Sequence, residues 1–130
     1  MTDHLLAAVR RLSDAFATRN ATAALACFVP ADDISYVGSE QGERAQGREA
    51  VASLFVSLFA RTEAYSWHVT EIIAHDLHTH AYITVEAEGL AIGDGGDRDV
   101  FAYRLGGLLE PDGDRWAWRA CVASVPEQPQ

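Results

Sequence analysis

Hydrophobic positions recur at helical spacing near the start of this chain and at strand spacing through its second half. Between residues 3 and 18, Leu5, Leu6, Val9, Leu12 and Phe16 share one side of a helix, with Arg10, Arg11 and Asp14 between them. Asp3 stands where an N-cap belongs. A short helix is predicted over 20–28, capped by Asn20, anchored by Leu25 and Phe28 and stopped by Pro30. Residues 34–37 read as a strand and GSEQGERAQG as a polar loop. A third helix over 47–61 buries Val51, Leu54, Phe55, Leu58 and Phe59.

After Thr62 the period drops from 3.6 to 2. Strands are predicted over 65–75, 79–92, 98–110 and 115–125, joined by turns rich in Gly and Asp, GDGGD and EPDGD. Helices followed by a long meander define an α+β protein, with three N-terminal helices packed on one face of a strongly curved, mainly antiparallel sheet. One domain over 1–130 suits the length, since a chain of this size buries roughly two-thirds of its unfolded surface.

Alternation assigns faces. Ile83, Val85 and Ala87 should point to the helices, and Tyr82, Thr84, Glu86 and Glu88 away from them. On the next strand Phe101, Tyr103 and Leu105 form the inner stripe. On the last strand that stripe is Trp116, Trp118, Ala120 and Val122. The outer face combines Tyr82, Thr84, Glu86 and Glu88 with Arg104 and Arg119. A patch carrying both charge signs can complement itself about a two-fold axis, so a homodimer through this face is expected.

The balance of 48% hydrophobic and 22% charged residues is that of a globular domain. A net charge of −9 and a pI near 4.8 repel phosphate backbones and anionic lipid, which argues against nucleic acid and membrane partners. No stretch approaches the roughly 20 apolar residues of a membrane span, and the first residues lack the pattern of a secretory signal. Cys27 and Cys121 stand far apart and read as two buried thiols of a cytoplasmic protein.

The segment ADDISYVGSEQGERAQGREAVASLFVSLF, with its VGSE at Val37–Glu40 and Gly47 before the third helix, resembles the nuclear-transport-factor-2-like superfamily. That superfamily includes ketosteroid isomerases and SnoaL-like polyketide cyclases. Trp118-Arg119 and the Ser124-Val125-Pro126 unit are similar to the ends of SnoaL-like sheets, although Val122 replaces a histidine there. The resemblance implies a cone-shaped fold, an apolar pocket between sheet and helices, and sheet-to-sheet dimers. It also places the isomerase base near Ser35 or Tyr36 and the two oxyanion donors near Leu12 and Phe101. A base must take a proton and a donor must offer one, which Leu and Phe cannot do. Steroid isomerisation by that route is not expected.

Other residues carry candidate chemistry. His75, His78 and His80 beside Asp76 are ligand types for a divalent ion, but they fall in a hairpin turn and alternation leaves only His78 and His80 on one side. No metal and no cofactor is assigned. His68 beside Trp67 is a candidate general base near neutral pH, or a packed or surface strand residue. Glu86 and Glu88 suggest acid–base work, but their parity sends them outward. For a pocket, the expected lining is Tyr36, Phe55, Trp67, Phe101, Tyr103 and Trp118, with Tyr36 or Ser124 as polar contacts. The expected ligand is a flat, largely apolar or aromatic small molecule. Three readings follow: a small-molecule-binding domain with no assigned reaction; an isomerase, cyclase or dehydratase using a non-standard base such as His68; or a non-catalytic structural module whose cavity its own side chains fill.

Overall fold

The computed structural model describes residues 2–127. Helix α1 spans Thr2–Ala17, α2 Ala21–Ala26 and α3 Arg48–Phe59. The strands are β1 Ser35–Val37, β2 Arg44–Gln46, β3 Ala64–Asp76, β4 Ala81–Ile92, β5 Arg98–Asp112 and β6 Arg115–Ser124. This is the α+β arrangement expected, with three helices on a six-stranded, mostly antiparallel sheet.

Each helix has a local cause. On α1 the buried stripe is Leu5, Val9, Leu12 and Phe16. Asp3 lies within its first turn rather than at the cap, where a carboxylate still meets the positive end of the helix dipole. Asn20 caps α2 by accepting the Ala23 amide at 2.9 Å. That helix ends at Ala26, short of the expected 28. Phe28 forms a parallel bridge to Trp118, and the flanking amide and carbonyl bonds to Trp118 hold Cys27 and Val29 out of the helix.

The sheet order is β2-β1-β6-β5-β4-β3. The three-residue β2 was expected to be loop. It folds back on β1, pairing Val37 with Arg44, and β1 runs parallel to β6. The long strands form the predicted meander. Two single-residue bulges interrupt it, Thr70 on β3 and Arg119 on β6. A bulge reverses strand parity, so both change which side chains point inward.

At β3 the bulge follows Tyr65, Trp67 and Val69 on the inner face and turns Ile72 and Ala74 inward after it. At β6, Trp118 points inward as expected. Beyond Arg119, however, Cys121 and Ala123 are buried while Val122 is 52% exposed. The expected inner stripe through Ala120 and Val122 is therefore corrected. Arg119 itself makes a two-point ion pair with Glu110, both contacts 2.8 Å, and donates to the Asp33 carbonyl at 2.7 Å. The core lies between α1, α3 and the concave sheet face, where Leu5, Val51, Phe55, Ile83, Leu105 and Trp118 are buried together.

Candidate functional site: an aromatic cavity at the open end of the sheet

The inner stripe of β4 passes through Ala87, Gly89 and Ala91. Their partners are larger. Val69, Trp67 and Tyr65 flank them on β3, and Tyr103, Phe101 and Asp99 flank them on β5. The large residues on the two sides, Tyr65 and Trp67 of β3 and Asp99, Phe101 and Tyr103 of β5, line a cavity. Phe16 of α1, Leu58 and Phe59 of α3 and the β1–β2 loop close over it, enclosing about 430 Å³.

Two glycines shape this space. A side chain at Gly89 would enter the Phe101 ring, so the absence of one lets that ring lean over β4. A side chain at Gly38 would enter Glu43, so the glycine of VGSE makes room for a carboxyl group. The walls pack edge to face. Phe16 meets Phe59 at 4.9 Å and Trp67 at 5.2 Å between centroids, and Phe101 meets Tyr103 at 6.0 Å and 86°.

Tyr36 and Tyr103 supply the polar floor. Burial raises both phenol pKa values, so both stay protonated at neutral pH. The two phenols lie close enough for each to affect the other's ionisation. Each hydroxyl can both donate and accept, and both tyrosines line the cavity. At the mouth, Arg61 pairs with Glu40 at 3.1 Å and Glu43 at 3.5 Å. Burial raises the Glu43 carboxyl pKa, the neighbouring Glu40 raises it further, and Arg61 only partly opposes them. A carboxyl so perturbed beside a cavity can carry a proton in either direction.

Tyr36, Trp67, Phe101 and Tyr103 thus come together around the cavity. Phe55 and Trp118 do not line it. Both are fully buried, Phe55 against Phe16, Tyr36 and Phe59, and Trp118 beneath the bridge to Phe28. Ser124 is exposed and lines a shallow depression on the opposite sheet face, because the Arg119 bulge reverses its parity.

His68 is exposed on β3, opposite Glu88, and outside the cavity. His75, His78 and His80 sit at the exposed β3–β4 turn or beside it, and among the described residues no group of metal-ligand side chains is close enough to hold an ion. Leu12 is fully buried, and Phe101 lines the cavity.

Sequence reasoning missed Glu43, Glu40, Arg61, Tyr65 and Asp99. Nothing local signalled that β2 would fold the loop acids over the cavity.

The profile of the SnoaL-like domain matches residues 5–128, and the chain belongs to that family. No curated protein matches it in sequence. Among solved structures it is similar to a proposed dehydratase of the NTF2-like family from Streptomyces avermitilis. The identity is 15%, the TM-score 0.82, and the match covers 98% of this chain and 97% of that one. It is also similar to a ketosteroid isomerase-like protein from Erwinia carotovora atroseptica, at 20% identity and TM-score 0.72, over 95% and 94% of the two chains. A proposed scytalone dehydratase from Novosphingobium aromaticivorans matches at 15% identity and TM-score 0.73, over 98% and 89%. At these identities the likeness concerns the fold.

Proposed function

We propose that this SnoaL-like domain binds a small, largely apolar molecule in the cavity. The observation that carries the reading is a hollow of about 430 Å³ walled by Phe16, Phe59, Trp67 and Phe101, with a protonated phenol pair at its floor. That volume lies within the range of small-ligand sites, which are mostly apolar with a few placed polar groups. It also argues against the third reading, a cavity filled by the protein's own side chains. Apolar burial drives binding, and Tyr103 orients a ligand carbonyl or hydroxyl. The test is a protein-observed NMR screen of aromatic ketones and phenols. Saturable shifts at Trp67, Phe101 and Tyr103, weakened in Tyr36→Phe, support the reading; shifts confined to the outer sheet face overturn it.

A second reading, an isomerase, cyclase or dehydratase, draws on Glu43. This carboxyl stands at the cavity with a raised pKa, whereas His68 faces away from it. Glu43 replaces His68 as the candidate base. Turnover abolished in Glu43→Gln and kept in His68→Gln is the expected pattern.

Assembly belongs to the same proposal. The outer sheet face exposes Ile73, Tyr82, Val100 and Val122 around the Glu86–Arg104 ion pair. An apolar face with a charge pair suits a two-fold homodimer. Sedimentation at micromolar concentration should show a dimer, and Tyr82→Glu should dissociate it.

A further inference from the structure

We infer that the cavity takes an organic cation, an ammonium group carried on an apolar or aromatic body. The inference rests on the cavity being a ligand site and adds the charge of the ligand. Four carboxyl groups, Glu40, Glu43, Glu63 and Asp99, stand at the lining against one guanidinium, Arg61. Arg61 is paired through Nη1 with both Glu40 and Glu43, so its charge is offset at the lining. Glu63 and Asp99 have no ion-pair partner among the described residues.

The register makes this a built position. Tyr65 and Asp99 both pair with Ala91, one from each side, so they face each other across a methyl group. Neighbouring strands lie about 4.8 Å apart, which puts the two backbones roughly 10 Å apart. One row deeper, Trp67 and Phe101 flank Gly89 in the same way. A cation in the cavity meets the Asp99 carboxylate on one wall and the Tyr65 phenol ring on the other, with the Trp67 and Phe101 rings one row deeper.

Aromatic walls attract a cation through the negative faces of their rings, and most strongly where water is excluded. A metal ion fits less well, because no cluster of ligating side chains is close enough to coordinate one among the described residues. An anion would face the unpaired carboxylates. A net charge of −9 also draws cations toward the protein.

Calorimetric titration of three probes of matched shape tests the inference: phenylpropyltrimethylammonium, its neutral isostere with carbon in place of nitrogen, and 4-phenylbutanoate. The expected order is cation, neutral, anion, with the cation ahead of the neutral probe by about tenfold, equal to about 1.4 kcal/mol. In the Glu63→Gln/Asp99→Asn double variant that lead should narrow to about threefold. Equal or tighter binding of the neutral probe overturns the inference and leaves the cavity as a ligand site. So does a lead for the cation that the double variant does not change. If none of the three binds saturably, both the inference and the ligand-site reading fall.

Discussion

The side-chain oxygen of Ser13 on α1 donates to the Trp67 carbonyl at 3.0 Å and accepts the Trp67 amide at 2.9 Å. Strand β3 is an edge of the sheet, so these backbone groups have no strand beyond them. One hydroxyl satisfies both and sets the depth at which the Trp67 ring enters the cavity. Ser13→Ala leaves a buried donor and acceptor without partners and should cost about 1–3 kcal/mol in urea unfolding. Trp67 fluorescence should shift to the red as water reaches the strand edge.

Gly89→Ala should move the Phe101 ring, since the added methyl group would occupy its place. Overpacking of this kind costs about 1–3 kcal/mol, read as a lower unfolding midpoint. A structure of the variant should show Phe101 turned toward the cavity.

Ala91→Leu should add bulk between Tyr65 and Asp99 at a buried position. Overpacking at this buried position should cost about 1–3 kcal/mol and displace the two lining residues, so ligand binding should also fall by at least tenfold. Titration and thermal unfolding of one sample separate the two effects.

Two carboxyl groups should give opposite pH responses. The folded pKa of Glu43 is raised by burial and by Glu40. Its contribution is therefore fully present below the unfolded value and is lost as pH rises through the folded one. Glu43→Gln, which mimics the neutral form, should raise the unfolding temperature more at pH 7 than at pH 4. Glu110 is lowered by its hydrogen bonds and charge pairing with Arg119. Its contribution is present above the unfolded value and is lost as pH falls through the folded one. Arg119→Lys keeps the charge but breaks the two-point contact, and should remove about 1 kcal/mol or less at pH 7 and less still at pH 3.

Periodicity by itself determined the α+β class, the three helices, the four long strands and the inward stripe Ile83, Val85 and Ala87. These follow from local geometry: a helix repeats every 3.6 residues and a strand every 2, and burial selects one face of each. The same rule turned Phe101 and Tyr103 inward, because they lie on a stretch of strand without an intervening bulge. It failed for Ser124, since the extra residue Arg119 is fixed by a carboxylate on another strand and a carbonyl from a distant loop, neither of which leaves a local trace. It also could not separate ring wall from ring core: Phe55 and Trp118 look like Trp67 in sequence, and only the closeness of α3 and Phe28 to the sheet decides that they are sealed off. Glu43 and Asp99 reach the cavity through β2 folding back on β1 and through the register of β5 on β4. Strand pairing joins residues far apart in sequence, and here the three-dimensional packing alone brought the charged groups to the mouth of the cavity.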